Sequence, residues 1–304
     1  MASITVAEAG QLQTAGDSDE QRALRVAAEK SLWKWNLAMG ILHLIQAVIV
    51  LALGLADGTT ASNFRIPQTT QFVGVNPTTG FFEQQLVRRY TIPFVALASG
   101  FAWMSAAAHF LVLLFFKQYV KDLRTGVNQF RWWEYSASSS LMIVLIAMLF
   151  GIWDIISLTL LGSLNACMNI FGLWMELGNR QTGALVTGKV DWLPFIAGSF
   201  AGIVPWGCIF AFLGAWDSSR VPKFVYGILA AYFIMFLTFP INMILQYLRV
   251  GPYAPRKWGT SGHSGYYFGE KVYQILSLVA KSLLLWLVVG GFNSPNEFTG
   301  RGVD

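Results

Sequence analysis

The chain has 304 residues, of which 55% are hydrophobic and only 12% are charged. An average soluble domain carries about 25% charged residues, so this composition argues against a soluble globule, and the apolar excess argues equally against a disordered chain. The formal net charge is +5. Because the basic residues lie mostly between apolar blocks, we attribute them to membrane topology and anionic lipid, and we expect no nucleic-acid partner.

Apolar blocks long enough to cross a bilayer as helices recur along the chain. About twenty residues make one such crossing, so the pattern predicts an all-α membrane protein folded as a seven-transmembrane-helix bundle. Thr91 with Pro93 indicates the start of the second span, and Asp154 is positioned to cap the fourth. The predicted spans are 33–56, 91–116, 129–153, 155–176, 193–215, 224–248 and 270–292.

One membrane domain with two tails is the predicted organisation: a polar tail over 1–30, the seven-helix domain over 31–292, and a second tail over 293–304. The longest connection, 57–90, contains two short extended runs around the turn sequence Asn76-Pro77-Thr78-Thr79-Gly80, which is typical of a β-hairpin. Lys and Arg number 13 on the amino-terminal side of the spans and 6 on the other. This asymmetry predicts a cytoplasmic amino terminus, with the hairpin-like loop and the carboxyl terminus outside the cell.

Charged side chains inside spans are costly and are therefore functional candidates. Lys281 lies about eleven residues into the last span, at about 16 Å depth and near the middle of a bilayer core. It could be paired, deprotonated or chemically converted, whereas its side chain is too short to reach the surface. A desolvated lysine also condenses readily with aldehydes to form a Schiff base. Glu134 in the third span is the candidate partner for its charge.

His43, His109, Ser105 and Ser277 are weaker candidates, because histidines and serines in membrane helices often serve packing or bond their own backbone. The outer half of the spans carries almost no titratable residue: the third span has none between Glu134 and Asp154, and the seventh has none after Lys281. A proton pump needs titratable groups on both sides of the group that releases the proton. In this chain they lie only on the amino-terminal side of Lys281.

Four segments stand out as motifs: 131–147 (RWWEYSASSSLMIVLIA), 202–206 (GIVPW), 224–227 (FVYG) and 276–282 (LSLVAKS). Together they resemble the heliorhodopsins, an inverted relative of the microbial rhodopsins. The resemblance covers about residues 33–290 and agrees with the orientation inferred from loop charge, since ordinary microbial rhodopsins place the amino terminus outside.

The resemblance implies all-trans retinal bound covalently to Lys281 as a protonated Schiff base, with Glu134 as counterion and Ser277 close by. Ser138 and Tyr135 would belong to the same site. His43 and His109, with Ser105, would line a cytoplasmic polar cavity that takes up the proton transiently. Glu176 would occupy a polar site at the cytoplasmic end of the fourth span, or else be a solvated carboxylate at the rim. The remaining positions matched to the retinal pocket are Asn165, Met168, Trp206 and Phe236.

The resemblance also implies a homodimer through spans four and five and the 57–90 loop. The small-residue run Gly198-Ser199-Phe200-Ala201-Gly202 would permit close helix approach there. We therefore expect a retinal-binding light sensor with an unidentified cytoplasmic signalling partner. The alternatives are a light-driven proton pump or ion transporter, and a retinal-free membrane receptor. No metal-ligand cluster or nucleophile–base pair is apparent, so neither a metal site nor an enzyme is expected.

Overall fold

The computed structural model describes residues 19–56, 58–214, 223–254 and 263–292, so the predicted tail residues 1–18 and 293–304 lie outside the described residues. Seven helices in this part of the chain are long and apolar enough to cross a membrane. This confirms a multi-pass bundle. The helices are α1 (Asp19–Leu55), α2 (Phe94–Leu114), α3 (Gln129–Leu149), α4 (Ile155–Gln181), α5 (Leu193–Gly214), α6 (Lys223–Leu248) and α7 (His263–Phe292).

Sequential helices pack as neighbours from α1 to α5, and α7 packs against α6, α1 and α2. Three short helices, Thr60–Asn63, Phe116–Leu123 and Ala184–Thr187, lie in the connections. We call the end of the bundle at which α1 begins the amino-terminal face, and the opposite end, which carries the only strands of the described chain, the hairpin face. Since α3 and α7 both run from the amino-terminal face to the hairpin face, depths along these two helices can be compared directly.

The loop between α1 and α2 forms an antiparallel hairpin of β1 (Arg65–Val75) and β2 (Phe82–Pro93). The Asn76 side chain begins the turn by accepting the backbone N–H of Thr78 at 2.8 Å. Gly80 completes the turn with φ of 72°, a left-handed conformation that favours glycine. The hairpin is thus confirmed, with strands longer than the two short runs predicted. Its base is tied to the α3–α4 connection by the Thr69 N–H, which donates to the Trp153 carbonyl at 3.0 Å.

Two predicted helix ends next to this hairpin are wrong. The second span does not start at Thr91, because Thr91 pairs with Pro67 in the strand ladder and α2 begins only after Pro93. The third span ends at Leu149 rather than 153, because Gly151 adopts a left-handed φ of 88° that closes the helix. Asp154 caps α4 as predicted, and its carboxylate accepts the Ser157 N–H at 2.8 Å.

Helices α1, α4 and α7 reach further at the amino-terminal face than hydropathy predicts. Helix α1 begins at Asp19, α4 ends at Gln181 and α7 begins at His263. Hydropathy detects the turns that face lipid, whereas these extra turns bury polar side chains against one another. The predicted spans for these three helices are therefore too short at the amino-terminal face.

The interior divides into two apolar clusters with polar residues between them. The cluster near the hairpin face includes Phe101, Ile146 and Leu284, and the cluster near the amino-terminal face includes Leu32, Tyr119 and Tyr247. Lys281 on α7 lies at the boundary and is 3% exposed. The fold therefore holds an amine in the centre of the bundle, with an apolar core between it and the hairpin face.

Candidate functional site

Lys281 on α7 and Glu134 on α3 form a buried ion pair, with the ammonium Nζ 2.5 Å from the carboxylate Oε1. Their side chains are 3% and 8% exposed. The pairing predicted from sequence is therefore present, and it explains how a cation is accommodated at this depth. Side chains on a helix lean toward its amino terminus, which brings the lysine down to the level of Glu134.

Two serines complete the hydrogen bonding of the ammonium. Nζ donates to Ser105 Oγ at 2.6 Å and to Ser277 Oγ at 3.0 Å. Ser105 also donates to Glu134 Oε1 at 2.7 Å, so this α2 hydroxyl bridges the two charged groups. Ser277 precedes Lys281 by one turn of α7 and reaches the ammonium from the same helical face.

Tyr135 and Ser138 lie beside this pair on α3. The Tyr135 ring centroid is 5.3 Å from Nζ, and its hydroxyl donates to the Tyr273 carbonyl at 3.0 Å, which fixes the ring against α7. A cation near an aromatic face is stabilised electrostatically, and more strongly where water is excluded. Ser138 is completely buried one turn beyond Glu134.

A cavity of about 250 Å³ extends from Lys281 between α3, α4, α5 and α6. All four predicted pocket residues, Asn165, Met168, Trp206 and Phe236, line it. Its walls are mainly apolar and aromatic, and its polar lining residues include Lys281 and Ser277. Lining residues that the sequence did not single out include Trp132, Ser139, Asn169, Phe195, Tyr232 and Phe239.

The glycines of the small-residue run on α5 face the inside of the bundle. An added Cβ at Gly198 would lie 3.0 Å from Phe171 Cβ of α4, and one at Gly202 would contact Met168 Sδ and lie 3.1 Å from Phe236 Cζ. A role of this run in a contact between two copies of the chain stays a prediction, because Phe200 between the two glycines is 72% exposed. Its glycines serve α4–α5 packing and leave room for the residues that line the cavity.

A second, polar cavity of about 40 Å³ lies on the amino-terminal side of the ion pair. His109 lines it, together with Glu134 and Ser277, but Ser105 and His43 are not among its lining residues. Of the three residues predicted to line one polar cavity, the structure places only His109 on this one, and their role in taking up the proton stays a prediction. Ser105 contacts the ion pair instead, and His43 stacks on His109 with ring centroids 5.7 Å apart.

The tautomer of His109 follows from its partner. Asn36 on α1 donates its side-chain Nδ2 to the Leu32 carbonyl at 2.9 Å, which turns its Oδ1 toward His109 Nδ1 at 2.9 Å. An amide oxygen only accepts, so Nδ1 carries the hydrogen and Nε2 keeps a lone pair. The imidazole can thus accept a proton at Nε2.

A buried cluster of three charged side chains, which sequence reasoning missed, lies one helical turn below Glu134. The Arg131 guanidinium pairs with Glu176 of α4 through Nη2 and with Glu270 of α7 through Nη1. Glu176 also accepts the Trp132 indole N–H at 2.7 Å and the Asn128 backbone N–H at 2.8 Å. Glu176 is 1% exposed, so it is not a solvated carboxylate at the rim.

The spacing of polar residues on α7 could have revealed this cluster. Glu270, Gln274, Ser277 and Lys281 follow one another at intervals of four, three and four residues, which places them on one face of a helix. Because the predicted span begins at 270, Glu270 falls at its edge and not among the charged residues predicted inside spans.

Among the described residues, no group of three or more His, Cys, Asp or Glu side chains could hold a metal ion.

A sequence model of the family described as Heliorhodopsin matches residues 32–292, which is most of the chain and includes the ion pair, both cavities and the buried cluster. No curated protein matches the chain.

The ion pair makes a testable contribution to stability. Glu134→Gln leaves the Lys281 ammonium buried without a counter-charge, and removing one partner of a buried pair costs about 3–5 kcal/mol. We expect this variant, prepared without added ligand in detergent, to unfold at a lower temperature than the parent. The double variant Glu134→Gln, Lys281→Met should recover most of the loss, because no unpaired charge remains. An unchanged unfolding temperature in the single variant would contradict a stabilising pair.

Proposed function

The chain belongs to the heliorhodopsin family and is a retinal-binding photoreceptor of the rhodopsin type, and on that premise we propose that it is a light sensor in which Lys281 holds all-trans retinal. The Lys281 ammonium would release one proton, the resulting amine would condense with the retinal aldehyde with loss of water, and the proton would return to the nitrogen to give a protonated Schiff base. When bound, retinal supplies absorption of visible light and isomerisation of its polyene chain. The other steps belong to the side chains of the protein.

The residues around Lys281 suit this cofactor. The cavity of about 250 Å³ starts at Nζ and is lined mainly by apolar and aromatic side chains, as a polyene requires. Trp206 and Phe236 lie in contact on one wall, with ring centroids 5.5 Å apart, and Tyr232 is held by its hydroxyl, which donates to the Ala280 carbonyl at 3.0 Å. This juxtaposition of a buried amine and an apolar cavity is the observation that carries the proposal.

Glu134 is the proposed counterion of the protonated nitrogen. It already lies 2.5 Å from Nζ, and the Ser105 hydroxyl holds its Oε1 in place. Ser277, whose Oγ lies 3.0 Å from Nζ, would lie beside the same nitrogen. A carboxylate fixed beside the nitrogen stabilises the positive charge in the dark state and so favours a protonated link.

His109 is the proposed first acceptor when the nitrogen loses its proton. Its Nε2 has a lone pair, and its ring lines the polar cavity that Glu134 and Ser277 also line. His43 would support the imidazole by stacking on it. The cavity has room for at least one water molecule, for which about 15 Å³ suffices, so the proton could travel without direct contact between donor and acceptor.

Two features favour sensing over pumping. Between Lys281 and the hairpin face, the buried side chains that the structure describes include no carboxylate, imidazole, amine or guanidinium. On the other side, the cluster of Arg131, Glu176 and Glu270 closes the route toward the amino-terminal face with buried ion pairs. A proton that leaves Lys281 would therefore remain inside the protein and return, with no net transport. The alternative, a light-driven proton pump or ion transporter, would need both routes to open.

We propose that the amino-terminal face lies in the cytoplasm, as the excess of Lys and Arg on that side indicates. A signalling partner would then meet the ends of α1 and α7 there. These two ends are joined by Glu29, which accepts hydrogen bonds from Arg124 at 2.9 Å and from the Tyr267 hydroxyl at 3.2 Å. A displacement of α7 near Lys281 could thus be transmitted to the amino-terminal face through the contacts of Glu29.

A homodimer through α4, α5 and the hairpin remains our proposal for the assembly. One face of the hairpin exposes Val73, Val75, Phe82 and Leu86, each more than half exposed. An apolar patch of this kind on a soluble surface usually marks an interaction site. On α5, Ile196 and Phe200 are also exposed, and they would face lipid or the second copy.

The cavity assignment can be tested on α5 with two glycines. Gly202→Leu would push Met168 and Phe236 into the cavity, so we expect little or no visible pigment when retinal is added to the purified apoprotein. Gly207→Leu is the matched control, because no atom lies within 4 Å of the position of its added Cβ, and it should form pigment normally. A Gly202→Leu pigment that forms in normal amount and has the parent's absorption spectrum would contradict the assignment.

Sensing and pumping differ in what illuminated cells do to their medium. We expect cells that express the pigment, in weakly buffered medium, to show no sustained light-driven pH change, because the proton returns to Lys281. A known proton pump expressed at the same level is the positive control. A sustained change that a protonophore abolishes would overturn the sensor assignment and favour the pump.

A further inference from the structure

Buried carboxylates outnumber buried cations in the polar region that extends from Lys281 toward the amino-terminal face. Two buried cations, Arg131 and Lys281, face three carboxylates, those of Glu134, Glu176 and Glu270. Lys281 pairs with Glu134, which leaves one guanidinium between two carboxylates. Buried charge without compensation is costly. With both carboxylates ionised, the cluster therefore has one excess negative charge and a capacity for one proton.

The polar cavity distinguishes the two carboxylates. Glu270 lines it, as do Glu134 and His109, whereas Glu176 is not among its lining residues. Water in this cavity would connect Glu270 to the site of the Lys281 nitrogen. Glu176 instead accepts hydrogen bonds from the Trp132 indole N–H at 2.7 Å, the Asn128 backbone N–H at 2.8 Å and the Tyr266 hydroxyl at 3.0 Å.

The surroundings of Glu270 can adapt to protonation. Its Oε2 pairs with Arg131, while Oε1 accepts the Tyr119 hydroxyl at 3.1 Å, Asn128 Nδ2 at 2.8 Å and Gln274 Nε2 at 3.3 Å. A hydroxyl both donates and accepts. Tyr119 can therefore turn and accept a hydrogen bond from a protonated Glu270, and Arg131 would retain Glu176 as its ionic partner.

We propose that Glu270 is the residue that stores the Schiff-base proton during the light-activated state. The N–H bond at Lys281 Nζ breaks and its electron pair stays on nitrogen. The proton crosses the polar cavity by way of His109 and forms an O–H bond on Glu270, and the reverse transfer restores the dark state. This inference rests on the proposed function, since it requires that light removes the proton from Nζ.

Light-minus-dark infrared spectroscopy of the intact pigment tests this assignment. In the parent protein, we expect a carboxylic-acid C=O band to appear while the visible spectrum reports loss of the proton from Nζ, and the band should shift in protein labelled with ¹³C-glutamate. Glu270→Gln should lose the band but still show the visible change. Glu176→Gln, which removes the other carboxylate of the same guanidinium, should keep it.

A band that persists in Glu270→Gln, or that is absent from the parent while Nζ loses its proton, would overturn the assignment. No visible change in the parent would instead contradict the proposed function. Should Glu270→Gln fail to form pigment, Tyr119→Phe provides the second test. It removes one hydrogen bond to Glu270, so the band should move to higher frequency, and a band at its original position would overturn the proposal.

Discussion

The structure depends on one electrostatic constraint, the burial of the Lys281 ammonium in the centre of a seven-helix bundle. A cation without a partner at this depth is too costly to retain. Glu134 supplies the counter-charge at 2.5 Å, and Ser105 and Ser277 satisfy the remaining hydrogen bonds. Four side chains from three helices are therefore fixed relative to one another, and helix packing around them must keep the same register.

The same constraint separates the interior into two compartments with different chemistry. Toward the hairpin face, apolar side chains such as Phe101 and Leu284 fill the core. Toward the amino-terminal face, a small polar cavity leads to a cluster in which Arg131 pairs with Glu176 and Glu270. A proton displaced from Lys281 finds acceptors on only one side, and that asymmetry is the physical basis for proposing a sensor.

The sequence predicted the features that depend on local pattern. Long apolar blocks indicated seven helices, the turn residues indicated the hairpin, and the depth of Lys281 singled it out as a functional residue. Contacts between helices could not be predicted in this way. Hydropathy does not detect a carboxylate that is neutralised by an arginine on another helix, so Glu270 falls at the edge of the predicted span. Small residues permit close packing inside a chain as well as between chains, so the sequence could not predict that Gly198 and Gly202 pack against α4 and α6 of the same chain.

The attachment of the chromophore to Lys281 is the central claim, and peptide mass spectrometry tests it most directly. Borohydride reduction of the coloured protein would fix the link, and proteolysis would release the modified peptide. The account predicts the mass of one retinyl group on a peptide that contains Lys281, located to that lysine by fragmentation. Retinyl mass on a different lysine, or on no peptide from a coloured preparation, would contradict it.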